Sequence, residues 1–412
     1  MLLTLSSLNV IQYLHKAGLC SAEDGTAYKS VLPENSNKNC NLLVILADHR
    51  QLLIKQERNI NHSQNSHELF NEWLFHQLLQ KFPVLGNIGA IASSLLQFDE
   101  ENSILVRSYL SEYAELGKFY QHRSIFPTEI ASAIGTTLAG LHRATFNKRE
   151  YRDFMSTAPA GQIRYNFYNP AQGLASINPE IFSTIPTEAL EFYRLYQRYE
   201  SLESAIADLA YDWKPSCLTH NDLHLSNILV HSRWEQLDNC LIRVIDWEAC
   251  TWGDPAFDLG TLLASYLDVW LSSLIVDPTL ELEESLNLAM IPLEVLQPSI
   301  LALIRAYLDA FPRILESHPD FIVRVVKFAG LALIQQIQHQ IEYQKYFDNS
   351  SLCMFKVANN LLTIPEKSVL TIFGISESEI FQAVSSLQAI PKPQKEQQLV
   401  PLFYQKTRLR GC

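Results

Sequence analysis

The block CLTHNDLHLSNILV, Cys217 to Val230, followed by VIDWE, Val244 to Glu248, restricts the fold of this chain more than any other segment. It sets Asp222 five residues before Asn227 and closes on apolar residues that read as a strand. A second apolar run, Leu241 to Ile245, then delivers Asp246 at hairpin distance. One carboxylate is placed to take a proton, and an amide and a second carboxylate are placed to hold a metal. Phosphoryl transfer from a magnesium nucleotide needs that equipment, because its catalysis is mainly positioning and charge stabilisation. H-x-D-x-x-x-x-N alone is a permissive pattern; the strand and the metal-type aspartate beside it make it specific.

These residues resemble the aminoglycoside phosphotransferase and choline kinase family, a branch of the protein-kinase-like fold. Its usual order is H-x-D-x-x-x-x-N, then I-D-x-E or I-D-W-E, then D-P-x-x-D-L. Here the three stand as HNDLHLSN, VIDWE and GDPAFDLG (Gly253 to Gly260), and LAGLHRATF (Leu138 to Phe146) is similar to the family's L-A-x-L-H helix. The likeness covers about residues 1 to 270. It implies an α+β, protein-kinase-like two-lobe fold with a small β-rich N-lobe and a large, mainly helical C-lobe. Residues 1–110 would be the nucleotide lobe, 111–364 the catalytic and acceptor-binding lobe, and 365–412 a partly flexible extension.

Carried over by position, the resemblance gives Asp222 the proton of the acceptor hydroxyl and gives Asn227 and Asp246 a Mg²⁺ ion, with ATP as donor. His220 would brace the loop from behind. His224, where HRDLK-type protein kinases carry a lysine, would touch the transferring phosphate or serve as a second brace. Glu248 would support a second metal or contact substrate. Asp254 and Asp258 fall before an apolar helix, where carboxylates cap backbone N–H groups, and are read as structural, as is His142.

Upstream, Leu42 to Leu46 and Gln51 to Lys55 are β-rich runs separated by ADHR, a hairpin signal. Lys55 ends the second run, where a kinase's third strand carries its phosphate-binding lysine. HELFNEWLFHQLL is an amphipathic helix with Leu69, Trp73, Leu78 and Leu79 on its apolar face. Glu72 on that helix would pair with Lys55. There is no G-x-G-x-x-G; the turn expected to cover the phosphates is rich in asparagine (Asn35, Asn37, Asn39, Asn41), a residue that tolerates positive φ. KNCNLLVIL with LLIKQ is similar to the methylthioribose kinase branch. After ILVRSYL, the backbone of Arg107, Ser108, Tyr109 and Leu110 would receive adenine as the hinge.

Composition fits such an enzyme. The chain has 412 residues, 47% of them apolar, enough for two lobes. A net charge of −12 argues against nucleic acid. Seven cysteines without a C-x-x-C pair suggest reduced thiols in a cytosol and no zinc site. The opening residues read as a helix capped by Ser7, with Leu8, Ile11 and Leu14 on one face and Gly18 ending it. No run reaches the ~18 apolar residues of a membrane span, so a soluble, cytoplasmic protein is expected. Thr128 to Arg143 reads as a helix with Ile130, Ile134, Leu138 and Leu141 buried, and Tyr165, Phe167 and Tyr168 lie in a loop that could line an acceptor pocket.

Three functions compete. The first is an ATP-dependent kinase of a small-molecule hydroxyl. The second keeps the chemistry on a peptide Ser or Thr, as in kinases resembling this family that prepare lanthipeptide precursors for dehydration. The third is an idle nucleotide-binding module, motivated by the missing glycine loop. The complete set of Lys55, Asp222, Asn227 and Asp246 favours the first. The acceptor, ATP against GTP, and the oligomeric state stay open.

Overall fold

The structure, a computed structural model, describes residues 3–21, 29–31, 39–57, 68–89, 92, 94–157, 168–172, 190–237, 241–275, 284 and 288–381. Leucine- and valine-rich runs between short polar turns build the first lobe. Strands β1 (Lys29–Val31), β2 (Asn39–Ile45), β3 (Gln51–Glu57), β4 (Leu95–Asp99) and β5 (Ile104–Ser108) form one antiparallel sheet in the order β1-β2-β3-β5-β4. Alternation along a strand gives the sheet two unlike faces. Leu42, Val44, Leu52, Ile54, Ile104 and Val106 pack with Val10 and Leu14 of helix α1 (Val10–Lys16). Lys55, one residue out of phase with Ile54, points the other way. Gln56 shares the α1 face and ties down the N-terminal segment, accepting the Leu5 N–H at 2.8 Å.

The opening helix differs from its sequence reading. It starts at Val10, after a turn in which Asn9 Oδ1 accepts the Ser6 N–H, so Ser7 is no cap and Leu8 stands almost fully exposed. Gly18 does end it, in the left-handed region at φ 73° that glycine enters without Cβ strain.

On the far side of the sheet lies α2 (Glu68–Lys81), followed by the short α3 (Gly86–Gly89). Phe70 and Trp73 pack on Phe98 of β4, and Phe75 stacks on Trp247 of the second lobe with ring centres 4.0 Å apart. The helix therefore fixes the sheet against the segment that carries Asp246.

The second lobe is mostly helical: α4 (Leu116–Arg123), α5 (Thr128–Thr145), α6 (Arg149–Met155), α7 (Leu190–Arg198), α8 (Glu200–Tyr211), α9 (Pro255–Leu271), α10 (Leu293–Ala310), α11 (Arg313–Ser317), α12 (Phe321–Gln344), α13 (Asn349–Thr363) and α14 (Pro365–Phe373). α5 packs on α10, and α12 packs between α9 and α13. The expected stripe of α5 (Ile130, Ile134, Leu138, Leu141) is buried against this core. Each such side chain contributes about 1.5–3 kcal/mol, so packing rather than propensity holds these helices. Val369, Ile372 and Phe373 of α14 and Ile380 join the same core, so the boundary expected at residue 364 marks no break in packing.

Helix α12 is long and apolar enough to cross a membrane by length and composition, against the expectation that no segment would be. Most of it is buried between its neighbours, as the central helix of a core would be. Two small sheets are inserted among the helices. One joins β6 (Tyr113–Glu115), β8 (Ile228–His231) and β9 (Ile242–Val244); the other pairs β7 (Cys217–Thr219) with β10 (Thr251–Gly253). The resulting fold has a small β-rich lobe and a larger helical lobe.

Candidate active site

The β7–β8 connection carries Asp222. Its backbone is held by Asp258, on the first turn of α9, whose two oxygens accept the N–H groups of His220 and Asn221, each at 2.8 Å. Asp258 also accepts from His142 Nε2 at 3.1 Å, and His142 Nδ1 meets the Tyr307 hydroxyl at 2.9 Å. Both His142 and Asp258 are wholly buried. Their structural reading holds, although Asp258 braces the Asp222 loop more than it caps its own helix. Asp254 is the cap: it accepts the Ala256 N–H and pairs with Arg324.

Asn221 turns the chain at φ 63°, an uncommon value for a non-glycine residue. Its side chain is fixed on both sides, accepting from Thr219 Oγ1 at 2.8 Å and donating to the Ala249 carbonyl at 3.0 Å. Gly253 leaves the room for this lock. A Cβ there would stand 2.2 Å from Thr219 Oγ1 and 3.0 Å from Asn221 Oδ1. Gly253→Ala is therefore expected to destabilise the fold by about 1–3 kcal/mol through overpacking and to displace the loop. A denaturant midpoint equal to that of the wild type would show that the loop gives way freely.

His220 lies behind the loop, as expected. It bonds the Ile245 carbonyl at 2.9 Å and packs against Trp247. Asp222 itself is half exposed. Burial pushes its carboxyl up, but the hydrogen bond and positive charge of His224 outweigh that and hold it below the usual range. His224 Nε2 stands 3.6 Å from Asp222 Oδ1, and its Nδ1 is 2.5 Å from Ser226 Oγ. Burial lowers the imidazole's pKa, but Asp222 raises it more, so the ring is poised to carry charge beside the carboxylate. Asn227 donates to the Asp222 carbonyl at 2.8 Å, and its own carbonyl accepts the Ile245 N–H at 3.0 Å. That bond joins the Asp222 loop to the residue before Asp246.

Asp246 also has a left-handed backbone, at φ 61°. A strained conformation at such a point persists only when its surroundings fix it. Here Lys55 donates to Asp246 Oδ1 at 2.6 Å and Arg107 to the same oxygen at 3.1 Å. Burial alone would raise this carboxyl; Lys55 and then Arg107 drive it far below its ordinary value. Glu72 is wholly buried and accepts from Arg107 at 3.2 Å, while Lys55 stands 3.7 Å away. Glu248 faces Lys55 at 3.6 Å, and burial pushes its carboxyl up to about 7.

The site thus has two groups: Asp222, His224 and Asn227 on the loop, and Lys55, Glu72, Arg107, Asp246 and Glu248 between the lobes. Three sequence readings change. Asn39 and Asn41 stand in β2, opposite Glu57 and Lys55, and not in a turn, because the β2–β3 ladder runs on to Glu57. Asn41 shares the Lys55 face of the sheet, with its Oδ1 buried and without a hydrogen-bond partner. Asn35 and Asn37 lie outside the described residues, as do Tyr165 and Phe167; Tyr168 is exposed. The N–H groups of Ser108 and Tyr109 already donate to Ser94 and Gln51, so these two amides are not open to a base. The Arg107 side chain, read only for its backbone, lies at the centre of the charge cluster. A lone arginine inside the apolar run ILVRS was the available signal, since buried arginine is almost always paired.

Among the described residues, no three His, Cys, Asp or Glu side chains form a ready metal cage. Magnesium does not need one, because it keeps several waters and binds through one or two protein oxygens plus phosphates. Asp246 and the Asn227 amide fit that demand. The buried Oε2 atoms of Glu72 and Glu248 lack hydrogen-bond partners, which leaves the cluster rich in acceptor oxygens.

Residues 98–285 match the sequence model of the Phosphotransferase enzyme family. No curated protein matches the chain significantly in sequence. Among solved structures, it is similar to a choline/ethanolamine kinase family protein from Mesorhizobium loti, at 16% identity and a TM-score of 0.45, over 87% of this chain and 96% of that one. A choline kinase from Streptococcus pneumoniae gives 16% and 0.45 over 87% and 100%, and a macrolide 2'-phosphotransferase from Brachybacterium faecium 14% and 0.44 over 87% and 98%.

Proposed function

We propose that the protein is an ATP-dependent phosphotransferase that moves the γ-phosphate to a hydroxyl of a small-molecule acceptor. The observation that carries this reading is the pairing of a half-exposed Asp222 with the ion pair of buried Lys55 and partly exposed Asp246, joined through Asn227 and Ile245. The family match over residues 98–285 supports it.

In this reading Asp222 orients the acceptor hydroxyl and takes its proton, and His224 offers positive charge where the phosphoryl group passes. Asp246 and Asn227 would hold Mg²⁺, which when bound supplies charge neutralisation along the phosphates. Lys55 is the lysine of the phosphates. The idle-module alternative is disfavoured, since neither the base nor a metal ligand has been lost. Cys40, Cys217, Cys250 and Cys353 are free thiols, which suits the proposed cytoplasmic location.

Lys55→Ala is expected to weaken ATP binding about tenfold or more, the worth of one charge-assisted phosphate contact, and to leave adenosine binding nearly unchanged. Equal losses for the two ligands would remove Lys55 from the phosphate site.

The acceptor class is tested by a thermal-shift screen with an unreactive ATP analogue. Amino sugars, choline-type amines, methylthioribose and Ser/Thr peptides are the candidates. The true acceptor raises apparent stability by mass action. A peptide that does so, and is then phosphorylated, replaces the small-molecule reading with the peptide one.

A further inference from the structure

Arg107 reaches from the middle of the nucleotide sheet into the charge cluster with only 5% of its side chain exposed. Its two terminal nitrogens end on different partners, Nη1 on Glu72 Oε1 at 3.2 Å and Nη2 on Asp246 Oδ1 at 3.1 Å. Lys55, the partner that sequence assigns to Glu72, is 3.7 Å from it, beyond hydrogen-bond distance, and sits instead at 2.6 Å from Asp246.

The difference has a consequence. Were Lys55 the only counterion of Glu72, moving onto the phosphates would strand a wholly buried carboxylate without its charge partner, a strongly unfavourable state. A guanidinium stays charged and holds two acceptors in a fixed fork, whereas a lysine is a point charge on a flexible stem. The division of labour follows from those properties. We infer that Arg107 is a positioning residue, the standing counterion of Glu72 and a brace for the Asp246 carboxylate, which leaves Lys55 free for the nucleotide. The inference rests on the ATP reading above, and it ties β5, α2 and the segment after β9 into one unit.

The test is a pair of double-mutant cycles on the full chain. E72Q, R107M and K55M are made singly, together with E72Q/R107M and E72Q/K55M. Each is read by denaturant unfolding and by its affinities for ATP and adenosine in Mg²⁺. E72Q and R107M should each weaken ATP binding about tenfold, and their pair should be no worse than R107M alone, because both remove one interaction. E72Q and K55M should be near additive. R107K, which keeps the charge and loses the fork, should recover only part of the affinity. If R107M alone fails to fold while E72Q/R107M folds, the unfolding readout gives the same coupling, since the double variant leaves no unpaired buried charge. Additive E72Q and R107M effects beside coupled E72Q and K55M effects would overturn the assignment. A wild type that binds no Mg²⁺·ATP would instead refute the nucleotide reading, and the unfolding cycle would then decide the counterion alone.

Discussion

Asp222→Asn is expected to lower turnover with the true acceptor by about 10²–10⁴-fold, the usual range for a positioned base, while leaving ATP affinity nearly intact. The split follows from the geometry. Asp222 is half exposed and forms no ion pair with Lys55 or Arg107. The amide keeps the shape of the side chain and can still meet Asn227, so the loop held by Asp258 should stay in place. What it loses is the ability to take a proton and the negative charge that raises the His224 pKa. Steady-state kinetics with a separate ATP-binding measurement check both halves. Wild-type turnover in this variant would remove Asp222 from the role of base.

Asp246→Ala should have a different signature, because it acts before any proton moves. The variant deletes a hard oxygen ligand from a cation that depends on few protein contacts. It also removes the acceptor shared by Lys55 and Arg107, leaving their two positive charges facing Glu72 and Glu248. ATP binding should therefore lose its magnesium dependence, and turnover should fall below detection. ATP without metal should still bind weakly, drawn by the freed cations. Titrating Mg²⁺ at fixed ATP reads this directly; a magnesium response like that of the wild type would place the metal elsewhere.

The parts of this site that were legible in the sequence are local ones. The Asp222-to-Asn227 spacing and the hairpin that presents Asp246 are set by chain geometry over a few residues, and Lys55 sits at a strand position that period-two alternation marks. Long-range pairings were not legible. Arg107 meets Asp246 across 139 residues, and His142 meets Tyr307 across 165. Nothing in a strand's own pattern says what a buried side chain will meet once helices and sheets pack. The asparagines illustrate the converse error. Asn39 and Asn41 carry turn propensity, but pairing with β3 supplies backbone partners that outweigh it. Leu8 was placed in the first helix on periodicity alone, and a two-residue delay in the helix start turned it to solvent.

Calorimetric titration of the wild-type protein with ATP, once in Mg²⁺ and once in a chelator, tests whether Lys55, Arg107, Glu72 and Asp246 form a magnesium-nucleotide site. Saturable one-to-one binding in Mg²⁺ is expected, at least about tenfold tighter than without it, the size of one good charge-assisted contact. Equal affinity in the two conditions, or no binding in either, would contradict it.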